Sequence, residues 1–257
     1  MTADDGHTRD QTGADDEAGV LPPSDTETGG AGELEAGVPQ LLRDRDAVLE
    51  QALPDVPFDG WTDDLVRRAG QAAGFDAAAT RRLFPRGRID LIVHFCDYAD
   101  RRMAAELERI DLPSLPIRSR ITTAVLVRLE QNLPHREAIR TALGLLALPQ
   151  NAALGLKTLY RTVDAMWWAA GDTATDFSFY TKRATLAAVY SSTLAVWLDD
   201  RSEGFADTRA FLDRRIADVM RIQKVRGRVE KMLPDPRRFL PGGSRFAGRN
   251  SLRMRGR

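Results

Sequence analysis

From Pro39 onward, apolar positions recur at helical spacing and are punctuated by caps and breakers. Leu41, Leu42, Val48, Leu49 and Leu53 mark a first helix, which Pro54-Asp55-Val56-Pro57 ends. Gly60-Trp61-Thr62 follows, with Thr62 as the N-cap of a helix to about Ala73 that Gly74 closes. Asp76 caps a short helix reading AAATRRLF. A long helix from Arg88 to about Arg109 sets Ile89, Ile92, Val93, Phe95 and Cys96 against Asp90, Asp97, Asp100, Arg101 and Arg102. Ser114-Leu115-Pro116 opens a helix to about Asn132, and Pro134 starts another that Leu148-Pro149-Gln150-Asn151 ends. Two more run over Ala152–Ala170 and Phe177–Leu198. Asp207 or Thr208 caps a last long helix, with Phe211, Leu212, Ile216, Val219 and Met220 on one side and Arg214, Arg215, Arg221, Lys224 and Arg228 on the other. Nothing alternates with period two, so the pattern predicts an all-α fold of about nine or ten helices.

One stretch stands apart. Tyr160 to Trp197 holds eight of the chain's 18 aromatic residues and three of its four Trp. Within it, DAMWWAAGDTATDFSFYTKR (Asp164–Arg183) bridges two helices. Gly171 suits the left-handed residue that ends a helix, because it has no Cβ to clash. Thr175 or Asp176 can cap the next one. That next helix is apolar on more than one face, with Phe177, Tyr180, Ala184, Ala187 and Leu194 on one and Phe179, Leu186, Tyr190 and Trp197 on another. Such a helix sits centrally in a bundle or meets both a core and a partner.

Charge changes the picture at the two ends. The chain is neutral overall, but residues 1–36 carry ten acids and one Arg, leaving about +9 on the remainder. Residues 1–36, nearly free of large apolar groups, read as a disordered acidic tail. Residues 37–232 read as a single helical domain, and 233–257, with Gly242-Gly243 and seven Arg, as a flexible basic tail. A lone cysteine, Cys96, excludes an internal disulfide and suits a reducing compartment. No apolar run reaches the ~20 residues that span a bilayer, and a basic-then-apolar leader is missing from the N-terminus. Arg outnumbers Lys 33 to 4, which fits a high-GC bacterial coding bias. The expected location is the bacterial cytoplasm, peripherally associated with the inner membrane.

Catalytic patterns are sparse. The His residues are His7, His94 and His135, and neither HExxH nor the Glu-x-x-His spacing of di-iron bundles occurs. His94 and Cys96, two apart on a helix, do not face the same way and read as core or boundary residues. His135 reads as a capping or solvated residue after Pro134. No P-loop, dinucleotide fingerprint or nucleophile elbow is present. The expectation is a protein without catalysis, cofactor or metal.

The first helix, the Gly-Trp-Thr start, the two short helices and the long one after them resemble the N-terminal part of the TetR-like regulators. A DNA-reading helix needs basic and amide side chains free for phosphates and base edges. Here it offers only Arg81 and Arg82 among alanines. The helix-turn-helix therefore reads as vestigial, with no nucleic-acid partner. LALPQN (Leu146–Asn151), DAMWWAAGDTATDFSFYTKRATLAAVY (Asp164–Tyr190) and FLDRRIADVM (Phe211–Met220) resemble the Coq-nine family of ubiquinone-biosynthesis accessory proteins. Gly60–Thr62 and Val93–Phe95 agree with it, and the similarity spans about Val48 to Arg228.

That resemblance implies a TetR-like helical bundle, dimeric, that binds an isoprenoid quinone intermediate or a phospholipid in an apolar cavity. It implies a non-enzymatic role, presenting the lipid to the membrane-bound di-iron demethoxyubiquinone hydroxylase alongside other ubiquinone-biosynthesis proteins. The partner-binding residues carried over are Met166, Asp176, Phe179, Tyr180 and Arg183, with Asp176, Tyr180 and Arg183 on one helical stripe. Phe179 stands where the family often has Trp. The family's amphipathic C-terminal helix corresponds here to a region broken by Pro234, Pro236 and Pro241, whose basic charge suits contact with anionic lipid. The rival reading is a TetR-like transcriptional regulator with an apolar ligand.

Overall fold

The computed structural model describes residues 39–172 and 177–232, with side chains for 39–172 and 179–221. The chain divides into two units, Met1–Gln40 and Leu41–Arg257, and the account below concerns the second. The tails expected at 1–36 and 233–257 lie outside the described residues, as do Thr175 and Asp176. Among the described residues there are ten α-helices and no strand. They are α1 Gln40–Ala52, α2 Val56–Asp59, α3 Asp63–Ala72, α4 Ala77–Leu83, α5 Arg88–Leu107, α6 Ile117–Glu130, α7 Arg136–Leu146, α8 Ala152–Ala169, α9 Phe177–Asp199 and α10 Ala206–Met232. Single 3-10 turns at Leu112–Ser114, Leu133–His135 and Glu203–Phe205 join some of them.

Local chemistry sets the boundaries. Thr62 Oγ1 accepts from the Leu65 amide at 3.1 Å, and Asp76 Oδ1 accepts from the Ala79 amide at 2.6 Å, so both expected caps hold α3 and α4. Gly74 and Gly171 adopt φ of 85° and 83°, the left-handed geometry that closes α3 and α8. Two boundaries differ from expectation. Pro57 does not keep its segment open but sits in the first turn of α2, where a missing N–H costs nothing. Helix α10 starts before Thr208, and its cap comes from upstream: Ser202 Oγ accepts from the Asp207 amide at 3.0 Å, and Asp200 Oδ2 accepts from the Thr208 amide at 2.8 Å.

Helices α3 and α4 form a tight pair packed on α5, and α5, α6, α8, α9 and α10 make the body. Gly70 makes the first pairing possible, because a Cβ there would lie 2.2 Å from Thr80 Oγ1. Asp46 of α1 is a polar clasp on α5: its carboxylate lies 2.7 Å from His94 Nε2 and accepts from Arg101 Nη1 and Nη2 at 3.0 and 2.6 Å. His94 is therefore a satisfied core residue, as the pattern predicts. Trp61 ties the N-terminal helices to α7, its indole N–H donating to the Ala138 carbonyl at 2.9 Å. The core is continuous from Leu49 and Leu65 through Leu91 and Ile92 to Trp197 and Leu212. Each such fully buried side chain contributes roughly 1.5–3 kcal/mol of hydrophobic stabilisation.

Candidate ligand cavity and docking surface

Helices α5 to α9 do not close completely on one another. They leave an apolar cavity of about 430 Å³, walled by Phe95, Ile139, Ala142, Leu146, Leu159 and Leu194. Ala142 of α7 and Ala152 and Gly155 of α8 also line it, and Gly155 lets the two helices approach closely, since a Cβ there would lie 3.2 Å from the Leu146 carbonyl oxygen. Leu143 and Leu156 also line it and are exposed to solvent, which places them at its mouth.

Polar groups gather at one end. Asp100 of α5 accepts from Arg128 Nε of α6 at 3.1 Å and from Thr162 Oγ1 of α8 at 2.9 and 3.1 Å. Arg161 Nε adds a contact at 3.4 Å. Asp100, Arg128 and Thr162 are all buried, and removing one partner of such a pair strands a charge in a low dielectric. Tyr190 of α9 and Cys96 of α5 complete this floor. Burial pushes the Cys96 thiol up to about 11, so it stays protonated. Burial also raises Tyr190, against the opposing pull of Arg128, so the phenol stays neutral. Burial would lower Arg128, but its neighbours, the Asp100 carboxylate among them, raise it, and the guanidinium stays charged.

A second opening of about 330 Å³ lies where α10 crosses α6 and α9, lined by Ile117, Ile121, Trp167, Leu186, Ile216 and Met220. The Trp167 indole nitrogen is buried without a hydrogen-bond partner among the described residues. Lys182, at the edge of this opening, pairs with Asp172 at 2.6 Å and lies over the Trp167 ring at 5.6 Å.

The sequence-derived docking residues separate into two environments at the α8–α9 corner. Tyr180 is exposed at 66% and Phe179 is half-buried, their rings edge-to-face at 5.1 Å. Arg183, expected on the same surface stripe as Tyr180, is only 4% exposed. It pairs with Asp164 and Asp172, and its guanidinium lies 3.4 Å from the centre of the Phe179 ring. Three residues turn a helix by about 300°, a net offset of about 60°, so the two lie on adjoining flanks, Tyr180 open to solvent and Arg183 against α8. Met166 is fully buried in the core, because its position on α8 faces inward with Val163. Asp176 lies outside the described residues. Trp168, which the spacing did not single out as a docking residue, is 77% exposed. Adjacent residues on a helix point about 100° apart, so the Trp167-Trp168 pair was a readable sign that one of the two leaves the core.

In the helix-turn-helix, α4 has seven residues, and Arg81 and Arg82 are exposed in its last turn. Its first turn, which would enter a groove, is Ala77-Ala78-Ala79. Among the described residues, no three His, Cys, Asp or Glu side chains group as a metal site, and no helix is long and apolar enough to cross a membrane.

The chain is 36% identical over 213 residues to the ubiquinone biosynthesis protein COQ9, mitochondrial, of Homo sapiens, which covers 80% of this chain and 66% of that one. It is 33% identical over 227 residues to COQ9-A, mitochondrial, of Xenopus laevis, covering 86% of this chain and 71% of the relative. It belongs to the COQ9 family. The COQ9 family model matches residues 152–223, which take in α8, α9 and most of α10. This chain spans just under two thirds of the human COQ9 protein's length. A TetR transcriptional regulator from Nitrosomonas europaea ATCC 19718 superposes with a TM-score of 0.55 at 23% identity, over 67% of this chain and 95% of that one, and shares the fold. The all-α, TetR-like architecture and the family resemblance expected from the sequence both stand. The expected location in the bacterial cytoplasm does not: the COQ9 relatives are named mitochondrial and come from eukaryotes, which points to mitochondria. That expectation leaned on arginine bias, and amino-acid usage reflects coding preference without carrying an address.

Proposed function

We propose that this COQ9-family chain is a non-enzymatic accessory protein of ubiquinone biosynthesis. It holds an isoprenoid quinone intermediate or a phospholipid between α5 and α9 and presents it to a di-iron demethoxyubiquinone hydroxylase. The observation that carries this reading is the apolar cavity, about 430 Å³ with solvent-exposed leucines at its mouth. That volume lies within the ~300–1,000 Å³ of sites that enclose most of a drug-sized ligand, so a long chain would leave through the mouth. Membership of a family of ubiquinone-biosynthesis proteins supports the lipid class. At the floor, burial keeps the Cys96 thiol and the Tyr190 phenol protonated, which favours a carrier over a catalyst.

The docking surface in this reading centres on Tyr180, with Trp168 and the edge of Phe179 beside it. Exposed aromatic residues are the types that anchor interfaces. Arg183 acts from beneath by fixing the α8–α9 corner, and Met166 supports α8 from the core. The protein works as a homodimer at a membrane surface. The test is organic extraction of the purified native chain followed by mass spectrometry. A quinone, isoprenoid or phospholipid at near-stoichiometric amount is the expected result, and a chain that carries none of them would remove the carrier function.

A further inference from the structure

The smaller opening, where α10 crosses α6 and α9, combines aliphatic walls with an unanswered donor. Ile121, Leu186 and Ile216 supply the walls. Trp167 also lines it, and its indole N–H is buried with no acceptor among the described residues. A buried donor left unpaired has given up its bond to water for nothing, so such a group calls for an acceptor. The charge at the rim says what that acceptor carries. Arg118 and Lys182 line the opening with a single acid, Asp172. That carboxylate is already shared, 2.6 Å from Lys182 Nζ and 3.3 Å from Arg183 Nη1. Arg118 reaches only the exposed Asp213, at 4.0 Å. Arg120 lies beside Gly171 of the same rim and gives its N–H groups to the carbonyls of Pro113, Leu115 and Ala170, with no carboxylate in an ion pair with it among the described residues. Even with Asp164 set against Arg183, the cations Arg118, Arg120, Lys182 and Arg183 outnumber the acids Asp164, Asp172 and Asp213. At about 330 Å³ the space is at the small end of ligand sites, which run from ~300 to ~1,000 Å³, so its occupant is compact.

We propose that this opening is a second binding site, separate from the larger cavity, and that it takes a small carboxylate with a compact apolar body. One carboxylate oxygen accepts from the Trp167 indole N–H, and the positive rim at Arg118 and Lys182 balances the charge. The apolar body lies between Ile121, Leu186 and Ile216. A neutral molecule of the same shape would fill the walls and leave the rim's charge unanswered, so the site selects for the anion.

The experiment uses the full chain and two probes of one shape, para-tert-butylbenzoate and its neutral amide, para-tert-butylbenzamide, titrated by calorimetry. The benzoate is expected to bind about tenfold tighter than the amide, because hydrogen bonds to a charged acceptor are roughly twice as strong as neutral ones. Arg118→Gln alters a half-exposed side chain, so it should keep the melting temperature and weaken the benzoate about threefold while leaving the amide unchanged. Nuclear magnetic resonance of the isotope-labelled, unaltered chain locates the site. The indole N–H signal that is missing from Trp167→Phe should move downfield as benzoate is added. Equal binding of the two probes, or benzoate binding that leaves the Trp167 indole signal in place, would overturn the assignment. So would failure of the benzoate to bind at up to about 1 mM. None of these outcomes bears on the lipid carried by the larger cavity, so the two readings stand or fall separately.

Discussion

Arg183→Ala and Tyr180→Ala, three residues apart on α9, should separate folding from docking. Arg183 is buried, paired with Asp164 and Asp172, and stacked on the Phe179 ring. Breaking a buried ion pair costs about 3–5 kcal/mol when the remaining charge is stranded. Here the cost is smaller, because Asp164 is 45% exposed and can be hydrated, and Asp172 keeps Lys182 at 2.6 Å. A loss of about 2–3 kcal/mol follows, or about 4–12 °C in melting temperature for a domain of this size. Tyr180, with two thirds of its surface in water, should change stability by no more than about 0.5 kcal/mol on truncation. The assay is a circular-dichroism melt and a hydroxylase pull-down on the same preparations. Tyr180→Ala should melt like the parent and capture less hydroxylase, whereas Arg183→Ala should melt early and lose capture in step with its unfolded fraction. Arg183→Glu places a third carboxylate beside two others and should fail to fold, so it is a poor probe of docking. An unshifted melting temperature for Arg183→Ala would refute the buried pairing, and a large fall for Tyr180→Ala would put that ring in the core.

Gly70→Ala should destabilise by about 1–2 kcal/mol in denaturant titrations, since crowding costs ~1–3 kcal/mol and the helix regains up to ~1 kcal/mol. The added Cβ would lie 2.6 Å from Thr80 Cγ2, so adding Thr80→Ala should relieve much of the loss, and purely additive effects would discount that contact. His94 and His135 are held below the ordinary imidazole value of 6.5, first by burial and then by Arg45 and Arg102 respectively. The unfolded chain therefore binds protons that the folded chain refuses, and stability should fall as pH drops below about 6.5. A double His94→Gln, His135→Gln variant should show a flatter profile between pH 7 and pH 5. For DNA, any retention should be non-specific and should collapse with added salt, as counterion release requires. A site-specific complex persisting at physiological salt would return the protein to transcription.

Elements announced by local chemistry were legible in the sequence. Thr62, Asp76, Gly74 and Gly171 each act through their own or adjacent backbone, so residue type and spacing were enough to place the helix ends. What spacing could not supply is pairing across the chain. Asp100 meets Arg128 and Thr162 from 28 and 62 residues away, so the cavity floor was invisible, although a lone arginine inside ITTAVLVRLE was a clue that something buried answers it. The cap of α10 failed for the same reason, since Asp200 reaches forward eight residues to serve it. Helical-wheel reasoning put Arg183 beside Tyr180 on one stripe, but only the placement of α8 decides which of the two is covered. His94 and Cys96, read as core or boundary residues, are buried and part-buried respectively.

The bond from the Trp61 indole to the Ala138 carbonyl gives the TetR-like N-terminal helices a part in the bundle that is independent of DNA. The Trp61 ring lies 5.6 Å from that of Phe95, and Phe95 is cavity wall. Trp61, at the start of the helix-turn-helix, thus works as a buttress: behind the cavity it holds one wall upright and, through α7, steadies another. Deleting the helix-turn-helix would save some thirty residues and let the cavity slump. On the carrier reading proposed above, keeping the cavity's walls in place is reason enough to keep these helices.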